Sequence, residues 1–562
     1  GLGLAIAYGV VQLAGLDPLR WEGPIVFGGV RRVFSTQGHP NSFAQLLVVG
    51  APIVVLFSVR AVRARRHGEG VLLGLMGLGI VGLTGLTLSR AGVLALATAA
   101  LVLLWGAWRA GVPARSGVLV VAALLASCLL ALAVAMAPDL GAGFRAMAAR
   151  VAGGTAGSGG PELRRFLWAG AWAAFRDHPF VGVGVDCLSL VFGRYRTPAA
   201  WSAEWGETPL KAHSQALEVL ATRGLVGGAA ALVLLFGTCR AGLRALAAKD
   251  GDGQLAVAAL AGLAAFLVHI SFHFPTAAGT SLAVTFVAIL CVLGEARPAP
   301  EPAPARLPKG AGIAAVAVAS ALAYGLILVP LRADVFAQAG TVVLRTDPVR
   351  AVSLAREAVR LDPSRDVLWL RLAAALQADG LAQREPARRK VLFEEARQVA
   401  EHGVSLVPVN AYDQAHLGTL LADLERETPA LAGRREVEQA FAAAQALDPN
   451  NADILMAAAD AALAAGDLDR ARAWAAQASL PYPSFGPARA FLGAVALVEG
   501  RRLAGSGEVA RARGKWQAAA DLLREGLAGE WHGDLRSRSA AEANLASALA
   551  ALREAPAAPA AN

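Results

Sequence analysis

The sequence predicts an all-α chain in two parts, a polytopic transmembrane helical bundle followed by a water-soluble α-solenoid of helical hairpins. Three observations predict it. Hydrophobic residues make up 56% of the 562 and charged residues 17%, with a mean hydropathy of +0.49, beyond what a soluble globular chain tolerates. Up to about Leu331 the chain breaks into apolar runs close to the roughly 20 residues that a membrane helix needs. After Arg332 the pattern changes to amphipathic helices whose apolar residues recur at three and four.

The predicted spans are Ser42–Val59, Val71–Leu86, Ala91–Trp108, Gly117–Met136, Gly224–Thr238, Leu255–Ile270, Ala277–Leu293 and Ala311–Leu331, with Leu2–Ala14 as a shorter ninth. The chain opens at Gly1 inside that apolar run, with neither an initiator Met nor a basic flank and cleavage site, and reads as starting within a longer protein rather than at a signal peptide. Residues 1–295 thus form a membrane domain with one long loop, 138–223. The Ala/Pro-rich stretch 296–309 is a semi-extended spacer, too polar to span and too Pro-rich for a helix. A last span, 310–331, leads into a soluble domain over 332–562.

Charge divides the same way. Residues 1–330 carry 25 Lys+Arg against 14 Asp+Glu, and 331–562 carry 27 against 29, so the net +9 belongs to the membrane part. Its basic residues are scattered over loops and make no continuous stripe, which argues against nucleic acid as a partner. The basic short loops Arg60–Arg66, Arg109–Arg115, Arg240–Lys249 and Arg297–Lys309 recur at every second crossing, and by the positive-inside rule they face the cytoplasm. The opposite face then holds Asp17–Asn41, the turn at Ser89-Arg90, the long loop 138–223, the link Ser271–Pro275 and everything after Arg332. Of the four cysteines, Cys128 lies in a span, Cys239 and Cys291 lie near cytoplasmic ends, and Cys187 stands alone on the oxidising side, so neither a disulfide framework nor a cysteine metal site is expected.

Within the soluble domain, Ala358-Val-Arg-Leu-Asp-Pro363 before Asp366-Val-Leu-Trp and Ala444-Gln-Ala-Leu-Asp-Pro449 before Ala452-Asp-Ile-Leu are the same phrase, and Gly403-Val-Ser-Leu-Val-Pro408 is a weaker copy. A helix ends, Pro stops it, and a second helix begins with small Ala where helices must approach closely. This resembles the tetratricopeptide repeat, with irregular spacing and insertions around Arg384–Arg389 and Glu427–Arg435. Three to five stacked hairpins present a concave face for a protein partner or an acceptor; the plainer alternative is an Ala-rich array with a docking role only.

Loops as long as 138–223 are uncommon without a role. Here an amphipathic helix runs from Arg164 through Phe175 and stops at Pro179, and Gly182-Val-Gly184 permits a tight turn without the setting of a dinucleotide fingerprint. His213, in Lys211-Ala-His-Ser-Gln-Ala-Leu-Glu218, starts the helix that becomes the next span. Its imidazole accepts a proton near neutral pH and is a candidate general base, against the alternative of a local cap. Arg90 lies between two apolar spans with only Thr87 and Ser89 as polar neighbours; it either snorkels to lipid headgroups or binds an anion, and guanidinium matches phosphate oxygens well.

Gly38-His-Pro-Asn-Ser-Phe-Ala44, Leu88-Ser-Arg-Ala-Gly92, Arg165-x-x-x-Trp with Asp-His-Pro-Phe-Val-Gly-Val-Gly184, and His213-Ser-x-x-Leu217 with Gly-Leu-Val-Gly227 occur in the order found in the O-antigen ligase family. The resemblance covers roughly Arg31 to Leu293, including Phe272-His-Phe-Pro275. It implies a membrane-embedded, lipid-linked glycosyltransferase that passes a glycan from an undecaprenyl diphosphate carrier to an acceptor hydroxyl outside the bacterial cytoplasmic membrane. By motif position, Arg90 and Arg165 bind the diphosphate and His213 serves the acceptor, with Arg31, Arg32, Arg164 and Glu218 as supporting candidates. Thr222-Arg223 stand where that pattern has an acidic residue, and Glu218 is the nearest substitute.

Fixed guanidinium groups in a low-dielectric site stabilise charge building on a leaving diphosphate. The sequence shows neither a glycosidase-type carboxylate pair nor an Asp-x-Asp motif in the early outer loop, so no cofactor and no metal are expected. The acceptor is a polysaccharide, a lipid or, as in protein O-oligosaccharyltransferases, a polypeptide. A non-enzymatic scaffold or transporter is the reading from another class, disfavoured because the spans are nearly free of charge.

Overall fold

The computed structural model describes residues 1–19, 26–27, 30–109, 161–204, 209–248, 252–295, 309–531 and 535–554. The expected span Gly117–Met136 with Cys128, the loop up to residue 160, residues 296–308 of the spacer and the Arg31 side chain lie outside the described residues. The chain forms two compact units, one of Gly1–Leu188 with Pro209–Pro302 and one of Ser189–Thr208 with Ala303–Asn562.

The first unit is a helical bundle. After α1 (Leu2–Leu13) and a two-residue antiparallel ribbon, Val26–Phe27 with Val30–Arg31, come α2 (Pro40–Arg63), α3 (His67–Leu86), α4 (Arg90–Arg109), α5 (Pro161–Asp177), the short α6 (Leu188–Val191), whose later residues belong to the other unit, α8 (Gln215–Ala247), α9 (Gly253–Ile270) and α10 (Ala277–Gly294). Six of these, α2, α3, α4, α8, α9 and α10, are long and apolar enough to cross a membrane, and with Gly310–Val343 of the other unit they make seven among the described residues. Each matches an expected span. The most buried of them, α2, meets α3, α4, α9 and α10. Small residues let the backbones close up: a Cβ on Gly262 of α9 would lie 2.2 Å from Phe286 of α10, and one on Gly106 of α4 would lie 2.2 Å from Val257 of α9. Val48, Val49, Ala95, Ala256, Ala259 and Leu290 complete that core, while Leu72, Leu75, Leu232, Val233 and Phe236 stay exposed, as side chains facing lipid must be.

Helix ends are capped by the sequence. His39 Nδ1 accepts from Asn41 N at 3.2 Å with Pro40 at the first helical position, Ser89 Oγ accepts from Gly92 N at 3.2 Å, and Thr276 Oγ1 accepts from Gly279 N at 3.1 Å.

In the second unit the last span begins with α11 (Lys309–Ala323), runs to Val343 and so continues past residue 331, where the sequence reading ends it. Pro330 does not break this helix because a π turn over Tyr324–Leu328 precedes it and absorbs the clash of its ring with the preceding turn. The far half, α12 (Val329–Val343), pairs with α13 (Pro348–Leu361). Hairpins follow: α14 (Asp366–Ala382) with α15 (Pro386–Leu406), α16 (Ala411–Glu427) with α17 (Arg434–Leu447), α18 (Ala452–Ala464) with α19 (Leu468–Ser479), α20 (Gly486–Gly505) with α21 (Val509–Ala528), closed by α22 (Leu535–Glu554). Three hairpins share one packing device, a glycine in the first helix facing an aromatic ring in the second: Gly380 with Phe393, Gly418 with Phe441 and Gly500 with Trp516. The chain is therefore all-α in its main architecture, a membrane-type helical bundle and a solenoid of helical hairpins.

Residues 189–204 differ from expectation. They come from the loop 138–223 that the sequence assigns to the membrane domain, yet they pack with the repeats. Trp201, on α7 (Pro198–Glu204), is 1% exposed among Ala452, Leu455, Ala478, Tyr482, Phe485 and Ala488, its Nε1 donating to Asn451 Oδ1 at 3.3 Å. Arg196 forms a buried ion pair with Asp448 at 3.6 Å, and Asn450 Nδ2 donates to the Arg196 carbonyl at 2.6 Å. Gly193 lies so close that a Cβ there would be 2.6 Å from the Asp448 carboxyl carbon.

Candidate active site

Polar groups gather at one end of the bundle of the first unit. The α3–α4 turn, Thr87 to Ser89, is tight enough to hold Leu88 at φ +52°. Thr87 Oγ1 donates to Thr84 O at 2.6 Å, and Arg32 Nε donates to Thr87 O at 2.7 Å while its terminal nitrogen donates to Asn41 Oδ1 at 3.2 Å. The turn thereby presents half-buried Arg90 as the first residue of α4, its Nε without a hydrogen-bond partner among the described residues.

The glycines after α5 have a definite task. α8 is broken at Gly224 (φ +61°), and the freed backbone groups are taken up by the segment that follows α5. Val183 N donates to Ala221 O at 2.9 Å, Gly184 N to Thr222 O at 3.1 Å, Leu225 N to Pro179 O at 2.7 Å and Val226 N to Phe180 O at 3.1 Å. The approach excludes side chains, since a Cβ on Gly182 would lie 2.3 Å from the Thr222 carbonyl carbon and one on Gly224 would lie 2.3 Å from Phe180 backbone. This zipper fixes α5, with its arginines, against the start of α8, with His213.

His213 itself sits at φ +51°, a left-handed conformation uncommon for a residue with a Cβ. Glu218 holds it there. Its buried carboxylate accepts from Ala212 N at 2.8 Å and lies 3.7 Å from Lys211 Nζ, which also pairs with Asp186. Glu218 thus positions the backbone before His213 and contributes no free carboxylate.

Of the two adjacent arginines on α5, Arg164 is the one that the structure brings toward His213 and Arg90. Burial first, and then Arg90, lower the pKa of Arg164, and no carboxylate pairs with Arg164 or Arg90 among the described residues. Arg165 is exposed. Burial, then the Arg164 charge, lower the His213 pKa, so that ring is neutral and able to accept a proton at neutral pH. Three further histidines that sequence reasoning did not select gather here, with His273 at their centre. The His273 ring centroid is 5.8 Å from that of His213, 5.7 Å from that of His39 and 5.5 Å from that of His269. Burial, then Arg32 and His213, press the His39 pKa down to about 4. A signal was available: five of the chain's nine histidines, His39, His178, His213, His269 and His273, fall in motifs on the face that the sequence assigns to the outside, or a turn from one. No three His, Cys, Asp or Glu side chains among the described residues are arranged to hold a metal ion. The arrangement offers two guanidinium groups to an anion and a neutral imidazole to a proton.

Comparison with known proteins bears on this site. Comparison with curated proteins gives no match. A solved structure described as "Functional Characterization of Pseudomonas Aeruginosa pilF" aligns with 17% identity over 40% of this chain and 93% of that one at a TM-score of 0.25, too slight a likeness to carry an argument. The O-antigen ligase family model matches residues 72–232, a stretch that holds Arg90, Arg164, Arg165, His213 and Glu218. This multi-pass membrane protein carries an O-antigen ligase family domain.

Proposed function

We propose that the protein transfers a glycan from an undecaprenyl diphosphate-linked donor to an acceptor hydroxyl on the outer side of the bacterial cytoplasmic membrane, as an O-antigen or exopolysaccharide polymerase or ligase. The observation that carries this reading is the pairing, inside the matched domain, of two carboxylate-free guanidinium groups with a neutral, partly buried imidazole. Arg90 and Arg164 receive the donor diphosphate, with Arg32 supporting the turn and Arg165 and Arg31 as further basic neighbours. His213 takes the proton of the acceptor hydroxyl as its oxygen bonds to the anomeric carbon. The carbon–oxygen bond to the diphosphate breaks and its electron pair leaves with the phosphate oxygen, where the guanidinium groups stabilise the added charge. The site and the repeats face away from the cytoplasm, in keeping with the basic short loops on the other side. The repeats hold the acceptor or a protein partner.

The test uses full-length protein in detergent with undecaprenyl diphosphate-linked oligosaccharide, wild type against His213→Ala, with donor and products followed by mass spectrometry. Donor lengthened by whole repeat units means a polymerase; glycan moved to another lipid or to a polypeptide means a ligase or a protein O-oligosaccharyltransferase. Donor left intact by folded wild type in the presence of the cell's own acceptors sinks the proposal and favours a scaffold or transporter.

A further inference from the structure

The link Ser271–Thr276 between α9 and α10 is pinned by one side chain. Gln45 of α2 accepts at Oε1 from Thr276 N at 2.8 Å and from Thr276 Oγ1 at 2.7 Å. Its Nε2 donates to Phe274 O at 3.2 Å and lies 3.1 Å from His269 Nδ1. Gly279 closes over this amide, since a Cβ there would be 2.2 Å from Gln45 Oε1. The link is held at both ends, and His273 sits in its middle with the ring 4.0 Å from that of Phe274.

His273 is 1% exposed, and neither of its ring nitrogens has a hydrogen-bond partner among the described residues. An imidazole buried in that way bears the desolvation cost of both nitrogens, which an apolar ring of similar size would not. The residue therefore weakens the fold where it stands, and it shares this lack of partners with His269 Nε2 beside it and with Arg90 Nε. Destabilising groups held rigidly beside a candidate base are what a stability–function trade-off looks like. Burial, then His269, His213, His39 and Arg164, push its pKa down to about 2, so its ring stays neutral and always presents one N–H donor and one nitrogen acceptor. A diphosphate calls for guanidinium groups; a sugar hydroxyl, which both donates and accepts, calls for a group of this kind.

We propose that His273 is a substrate-contacting residue of the site, its imidazole hydrogen-bonding the hydroxyl groups of the acceptor beside His213. The inference rests on the glycan-transfer reading, and His273 lies outside the matched residues 72–232.

Full-length wild type, His273→Phe, His273→Gln and His213→Ala are compared in detergent by thermal unfolding and by transfer from undecaprenyl diphosphate-linked oligosaccharide at varied acceptor concentration. His273→Phe is expected to raise the unfolding midpoint by a few degrees, because the unpaired nitrogens are gone, and to lower kcat/KM for the acceptor roughly tenfold or more. His273→Gln, whose amide keeps a donor and an acceptor, recovers part of that loss, and the acid limb of the pH–rate profile stays in place in both variants. A lower unfolding midpoint for His273→Phe assigns the ring a structural role and overturns the proposal. Full transfer by His273→Phe, in a preparation where His213→Ala is inactive, overturns it alone. Wild type that transfers nothing removes the underlying reading and this proposal together.

Discussion

The electrostatics of single residues make the first predictions. Arg164 lowers the His213 pKa by charge, second only to burial. Arg164→Gln removes the charge and raises that pKa toward the ordinary value, so the acid limb of the residual kcat/KM–pH profile moves to higher pH; Arg164→Lys, which keeps the charge, leaves the limb where it was. His213→Ala lowers transfer by about 10²–10⁴-fold, the usual contribution of a positioned base. Asp413, raised from 3.8 to about 8 first by burial and then by Asp366, gives a stability prediction. Its folded-state pKa exceeds its unfolded one, so its stabilising contribution is full below pH 3.8 and is lost as pH rises through about 8. The full-length protein should melt lower at pH 8.5 than at pH 6, and Asp413→Asn should shrink the difference. The phase of α5 was legible: Leu167, Ala171 and Ala174 are its buried face, and Arg164 lies one turn before Leu167 on that face while Arg165 turns away. Motif position pointed to Arg165, and helical phase points to Arg164. The three other histidines were not legible as a cluster, because helices far apart in sequence bring them together.

Among the elements, spans were the most readable, because length and hydropathy decide them locally. The backbone exchange between the 179–184 segment and the break at Gly224 was not, since it depends on two segments about 40 residues apart meeting at a single register. Only the glycines hinted at it. Gly182→Ala is expected to cost about 1–3 kcal/mol, combining a strained φ with a backbone clash, and to reduce transfer by displacing α5 from His213. Unfolding midpoints and product yield measured side by side check it; an alanine variant with both at wild-type level would refute the role given to the zipper. The end of the last span misled in the opposite direction: the apolar run stops at Leu331, but the helix, which accommodates Pro330 through a π turn, runs on to Val343.

Across the whole molecule, composition separated a membrane part from a repeat part, but it could not show that the second unit is assembled from two stretches of chain. Trp201 and Arg196 carry no sign of this in sequence; only the small residues and the asparagines of the repeats that receive them make the fit. Trp201→Ala in the full-length protein should destabilise the repeat unit by about 3–5 kcal/mol, read as a separate, earlier melting transition. A chain cut at residue 302 retains Trp201 and Phe192 without the repeats they pack with, and aggregation on purification is the expected result. The same fact limits how such a protein can be recombined. Residues 303–554, moved to another chain as a contiguous gene segment, would arrive with an apolar socket unfilled and Asp448 lacking Arg196, so a viable graft has to carry residues 189–204 as well, and inheritance of the repeats is tied to inheritance of the loop that carries His213.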